Sequence, residues 1–301
     1  MSDIASTLKA YALAHPQIEG PARSVLKSWR STNLARTRSR KRFAMNYFND
    51  KLRQIGEWAP KWTEGDNFYY DLTSHNRSDL ASLVAVLCGE RVEVIDGYLS
   101  ELSQDTALRS HIRSALVTDP MLKEVEVGFG RREGWYAFVR ALKPKVVVET
   151  GVHHGVGACV ITAALLRNTA EGHSGQYLGT DIDPNAGRLL SGPYAEFGRV
   201  LYGDSIASLS SIKEPIDIFI NDSDHSADYE GREYEAVEPK LSERSLVLGD
   251  NSHVTSKLNE WARSNKRPFV FFREEPLDHW YPGAGIGISP AFVPILPIPS
   301  V

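Results

Sequence analysis

Cysteine is scarce: Cys88 and Cys159 are the only two in 301 residues, far apart and in apolar surroundings. Two such residues cannot staple a small secreted scaffold, so reduced core thiols in a cytoplasmic protein are the expectation. Long apolar runs are also missing. The longest, near residues 158–166, is too short to span a bilayer and suits a buried helix. The first twenty residues lack a basic stretch followed by an apolar one, so no secretory leader is expected. There is no excess of positive charge. A formal net charge of −4 gives no general attraction to nucleic acid or to an anionic lipid surface. Neither is an expected partner.

The 42% hydrophobic and 24% charged residues are ordinary for a globular protein. The length suffices for a core domain with a smaller companion. Residues 1–125 have a helical texture, with apolar positions at mixed three and four spacing. The run from Asp79 to Leu87, closed by Gly89 as a C-cap, is one such helix, and the run from Val94 to Leu102 is another. A basic cluster, Arg36, Arg38, Arg40, Lys41 and Arg42, reads as a solvated helix face. Trp58, Trp62, Phe68, Tyr69 and Tyr70 either cap a substrate pocket or pack against the following domain, with packing favoured.

From residue 126 to 301 short apolar strands alternate with helices, the pattern of a mostly parallel α/β sheet. Strands are expected at residues 145–150, 176–180, 199–202, 215–221, 244–248 and 268–272. Helices are expected near residues 158–167, 229–241 and 256–264. The first strand runs into Gly151, Val152, His153, His154, Gly155, Val156 and Gly157, ahead of an apolar helix. Glycines at such a turn let the backbone approach a ligand, and the helix N-terminus offers free N–H groups. The second strand ends in Asp181, Ile182, Asp183 and Pro184. A carboxylate there can accept both ribose hydroxyls of a nucleoside, with Asp181 the better candidate and Asp183 a turn cap. After the third strand come Gly203, Asp204 and Ser205, where Asp204 could accept from an adenine amino group. The spacing 151, 155, 157 does not fit the G-x-G-x-x-G fingerprint of a dinucleotide-dependent oxidoreductase.

In these three motifs, in this order, the chain resembles the class I S-adenosylmethionine-dependent methyltransferases. The resemblance implies a Rossmann-like, mostly parallel sheet of seven strands with an antiparallel last strand near residues 286–289. It also implies S-adenosylmethionine as cofactor, held by Glu149, Gly151, His153, Gly155, Gly157, Asp181, Asp183, Asp204, Ser205 and Asp222. Many relatives carry glycine where His153 stands, and the imidazole is expected to line the methionine end of the pocket. A metal pair formed by His153 and His154 is a weaker alternative.

The fourth strand ends in Asn221, Asp222, Ser223, Asp224 and His225, and the fifth in Gly249, Asp250, Asn251, Ser252 and His253. Carboxylates and amides converging at neighbouring strand ends are hard ligands suited to Mg²⁺ or Mn²⁺. This pair is similar to the metal site of cation-dependent O-methyltransferases, including the macrocin and mycinamicin sugar O-methyltransferases. The similarity implies that Asp222, Asp250 and Asn251 hold the metal beside a hydroxyl of a small polyhydroxy, sugar-like or natural-product acceptor. His225 is expected to take the acceptor's proton, with His253 second, since histidine exchanges protons near neutral pH. Asp224 is either a support for that base or a helix N-terminal acid. His279, Trp280 and Tyr281 either wall the acceptor site or seal the sheet edge. Two rival functions are a cephalosporin-hydroxylase-like oxygenase, with iron on Asp222, His225 and His253, and a non-catalytic S-adenosylmethionine-binding protein. The role of the N-terminal region, as a lid, a dimerisation surface or packing, stays open, as does assembly into a homo-oligomer.

Overall fold

The computed structural model describes Ser24 and residues 33–61, 64, 67–122, 125, 127–250 and 252–294. Trp62 and Asn251 lie outside the described residues, as does the stretch read for a leader. The chain divides into two compact units, Met1–Lys61 and Trp62–Val301. In the first, helix α1 (Asn33–Trp58) carries Arg36, Arg38, Arg40, Lys41 and Arg42, all exposed. Among the described residues no helix is long and apolar enough to cross a membrane.

The second unit opens with helices α2 (Ser74–Cys88), α3 (Val92–Ser103) and α4 (Thr106–Thr118). Thr73 caps α2 by accepting from the Asn76 N–H, and Gly89 closes it at φ 70°. These helices, expected in the region 1–125, share one hydrophobic core with the sheet through Leu80, Val84, Ile95, Leu99 and Leu108. Helix α5 (Arg132–Leu142) follows and is buried around its whole circumference, charged residues included. Arg77 Nε reaches Glu133 Oε2 at 2.5 Å, and Arg140 Nε reaches Glu101 Oε2 at 2.9 Å. Partners from other helices thus make the burial of these charges tolerable.

The remaining elements are β1 (Val146–Thr150), α6 (Val156–Ala170), β2 (Gln176–Asp181), β3 (Gly198–Tyr202), α7 (Ser205–Ser211), β4 (Ile216–Asn221), α8 (Ala227–Val237), β5 (Leu241–Asp250), α9 (Lys257–Ser264), β6 (Val270–Arg273) and β7 (Gly285–Pro290). They build a seven-stranded sheet in the order β3-β2-β1-β4-β5-β7-β6, with β7 antiparallel to both neighbours. The topology expected from the resemblance is the one observed. Val147, Ile218 and Leu248 face one hydrophobic cluster, while Val148, Phe219 and Val247 face another, as interior parallel strands require. Thr150 stands opposite Thr180 and Asn221, and Asn221 opposite Gly249. Residues 151, 181, 222 and 250 therefore leave the sheet along one edge, the carboxyl edge where open α/β sheets bind ligands.

Candidate active site

The turn after β1 is built for close approach. Gly151 sits at φ 80°, and a Cβ there would collide with the Asp222 carbonyl of the neighbouring strand end. His153 holds φ 48°, a left-handed conformation in which histidine is uncommon and glycine is at ease. Burial, then the neighbouring His154, pull the His153 imidazole down to about 4. Asp181 pins this turn: one carboxylate oxygen accepts from the Val152 and His153 N–H groups, each at 2.9 Å, and the other from the Asp183 N–H. Asp183 in turn accepts from the Asn185 backbone and side chain. Asp204 caps α7 through the Ala207 N–H at 2.8 Å and accepts from the Tyr229 hydroxyl at 2.9 Å. Ser205 donates to buried Glu233.

Glu233 was not legible as a site residue. It is fully buried and gathers Thr150 Oγ1, Ser205 Oγ, Asn221 Nδ2 and Ser223 Oγ, tying three strand ends together. Glu149 is buried likewise, with the Tyr177 hydroxyl donating to it. Burial pushes the Glu149 carboxyl up to about 8 despite that hydrogen bond. A raised folded-state value favours the protonated fold, so its stability is full below the ordinary carboxylate range and lost as pH rises towards 8. Glu149→Gln should therefore match the parent protein in thermal denaturation near pH 5. Above pH 8 it should be the more stable, on the order of 3–5 kcal/mol. An unchanged difference across that window would contradict a buried, titrating Glu149.

At the ends of β4 and β5 the structure brings Asp222, His225 and Asp250 together, with ligand atoms within 4.8 Å of one another. His225 Nε2 lies 3.9 Å from Asp222 Oδ1. Burial, and then the charge of Asp250, hold the Asp222 carboxyl well above the usual range. Asp250 is fully buried, and both of its oxygens accept from the Arg131 guanidinium, Nη2 at 2.8 Å and Nε closer still. The Arg131 backbone N–H also donates to Glu274 Oε1 at 2.6 Å. Sequence reasoning missed this arginine, because a charge at the start of α5 reads as surface. His253 is exposed and outside the three-residue cluster, with its ring 6.1 Å from that of Phe271. Asp224 is exposed and accepts from the Ser226 N–H and hydroxyl at 3.0 Å, which stiffens the turn into α8. The His153 and His154 rings lie with centroids 3.8 Å apart, and neither joins a group of three or more metal-ligating side chains among the described residues.

The two aromatic segments pack on each other. The Phe68 ring lies 5.4 Å from His279, 5.6 Å from Trp280 and 4.9 Å from Tyr281, and His279 Nε2 meets buried Glu64 at 2.6 Å. Tyr69 and Asn67, from the same segment, line a cavity of about 790 Å³ along the sheet edge. Its wall continues through Arg132, Glu149, the glycine turn, Asp181, Asp183, Asp204, Ser205, Asp222, Asp224 and His225. Nearly every cofactor and base candidate thus borders one space, whereas Asp250 stands behind Asp222 and His253 apart.

Residues 148–252 match the family model described as a methyltransferase domain. No curated protein matches the chain. Among solved structures, an SAH-bound methyltransferase from Podospora anserina aligns at 12% identity over 65% of this chain and 94% of its own, with a TM-score of 0.45. The O-methyltransferase from Bacillus cereus in complex with SAH aligns at 12% identity over 62% and 91%, with a TM-score of 0.46. TomG, an O-methyltransferase from Streptomyces achromogenes in complex with SAM, aligns at 13% identity over 62% and 90%, with a TM-score of 0.47. Likenesses this distant add no weight to any particular activity.

Proposed function

We propose that the chain moves the methyl group of S-adenosylmethionine to a hydroxyl oxygen of a small polyhydroxy or sugar-like acceptor, a reading supported by the match of residues 148–252 to a methyltransferase-domain model and by the strand order of the sheet. The carrying observation is the single cavity that joins the glycine turn to Asp222 and His225. A nucleoside held by Asp181, Asp183, Asp204 and Ser205 would share one cavity with those two side chains. Gly151, Gly155 and Gly157 let its backbone contacts form, and His153 borders the same space.

A divalent cation such as Mg²⁺ or Mn²⁺ would be held by Asp222 together with Asp250, whose two oxygens Arg131 would first have to release, and with Asn251, the next residue in the sequence. Burial and the charge of Asp250 hold the Asp222 carboxyl in its protonated form, and a bound cation would reverse that preference by pairing with the carboxylate. When bound, the cation would lower the pKa of the acceptor hydroxyl. His225, beside Asp222, takes the hydroxyl proton as the oxygen attacks the methyl carbon. The carbon–sulfur bond breaks in line, leaving S-adenosylhomocysteine and a methyl ether. An iron oxygenase would need two histidines and a carboxylate around one ion, and His253 lies outside the cluster.

Methyl transfer to a panel of catechols and sugars, assayed with chelator-treated protein and after return of Mg²⁺ or Mn²⁺, tests the reading. Activity should vanish on chelation and return with the metal. Full activity after chelation would remove the cation from the mechanism while leaving methyl transfer in place.

A further inference from the structure

Helix α1 (Asn33–Trp58) leaves large apolar side chains in water. Met45, Phe48, Leu52 and Ile55 are all exposed, Phe48 by 60% and Leu52 by 65%. Their spacing of three, four and three residues places them on one stripe, the a and d pattern of a coiled-coil seam. At 3.6 residues per turn Phe43 and Tyr47 leave from the opposite side and take no part in it. An exposed apolar stripe of this kind marks an interaction surface.

Spacing and charge together say what covers it. The stripe reads the same in both directions about Asp50, so an antiparallel copy sets Met45 level with Ile55 of the partner subunit and Phe48 level with Leu52 of the partner subunit. A two-fold pair requires this self-complementarity. The exposed Arg36, Arg38, Arg40, Lys41 and Arg42 surround the N-terminal half of the helix. Parallel copies would bring two such clusters together, whereas antiparallel copies hold them about 30 Å apart, well beyond a Debye length. Each cluster then lies by the stretch where the other copy's chain passes into Trp62–Val301, in which Asp and Glu outnumber Lys and Arg. Arg38 and Lys41 would continue the stripe, and the cost of burying their charges ends the seam at Met45. Lys51, the charge beside its middle, turns away from it to Gln54 Oε1 at 3.1 Å.

We propose that α1 is a dimerisation helix, pairing antiparallel with α1 of a second copy of this chain through Met45, Phe48, Leu52 and Ile55. Four side chains from each copy make a small interface, so the dimer forms at chain concentrations on the order of micromolar.

The test is sedimentation equilibrium of the full chain, which should be dimeric at about 100 µM. Phe48→Glu and Leu52→Glu each put a charge into the seam twice, once per copy, and should weaken association about 100-fold or more. Their far-UV circular dichroism should match the parent, because both positions are exposed within one chain. Tyr47→Glu, on the opposite side, should dimerise as the parent does. The register is read by cross-linking Asn49→Cys and Arg38→Cys with a short bismaleimide. Along the axis Asn49 lies about 3 Å from its symmetry mate and Arg38 about 36 Å, so the first variant should cross-link and the second should not. The parent, whose Cys88 is half-buried and Cys159 buried, serves as the blank. A monomer at about 100 µM overturns the proposal, whether a segment of the same chain or an anionic lipid surface covers the stripe. So does a dimer that survives Phe48→Glu, or one in which Arg38→Cys cross-links as readily as Asn49→Cys. None of these outcomes alters the binding of sulfur nucleosides, which tests the methyltransferase reading separately.

Discussion

Replacing His225 with alanine is expected to lower methyl transfer by about 10²–10⁴-fold while changing the affinity for S-adenosylhomocysteine only a few-fold. The imidazole borders the cavity next to Asp222, with Nε2 3.9 Å from Asp222 Oδ1, and is partly open to solvent. It can therefore meet an acceptor and pass its proton on to water. His253, the other candidate base, is exposed and lies outside the Asp222 cluster, so His253→Ala should leave most of the rate. Rates measured for both variants at saturating cofactor decide the matter. A large loss for His253→Ala with little for His225→Ala would exchange the two roles.

The second large effect concerns stability. Arg131→Met, which roughly conserves volume, should cost about 3–5 kcal/mol of unfolding free energy. The guanidinium is the cation that faces two fully buried carboxylates, Asp250 through two hydrogen bonds and Glu274 through an Nη1 to Oε2 distance of 3.9 Å. Removing it leaves both in a low-dielectric site with only neutral donors such as the Tyr70 hydroxyl, 3.1 Å from Glu274. Domains of this kind have about 5–15 kcal/mol in total, so the variant should unfold at clearly lower denaturant. Urea titration followed by far-UV circular dichroism measures the loss. A cost below about 1 kcal/mol would mean that the carboxylates are protonated or hydrated in the folded protein.

Much of this site is legible in the sequence because its signals are local. Val146 to Val148 are apolar on both faces, so an interior parallel strand follows without tertiary information. Gly151 and Gly155 mark a turn whose φ values are 80° and 96°. Asp222 and Asp250 fall at the ends of adjacent strands, and the β4–β5 register sets them side by side. Arg131, Arg132 and Glu233 were not readable, for one shared reason. Their burial depends on partners 10 to 143 positions away in sequence, or on an empty cavity, and a charged residue seen alone reads as surface. Helix α5 was missed on the same ground, since Arg132, Glu133 and Arg140 break its apolar stripe. Phe68 and His279 show how distance settles what local pattern leaves open: their segments pack on each other, and among the described residues of the two segments Asn67 and Tyr69 reach the cavity.

The most direct test of the central claim is calorimetric titration of the protein with S-adenosylmethionine, S-adenosylhomocysteine and NAD, with and without Mg²⁺. Saturable binding of both sulfur nucleosides, with no heat from NAD, is the predicted result. Binding of NAD alone, or of none of the three, would contradict the account and leave the turn from Gly151 to Gly157 as a packing feature of the sheet.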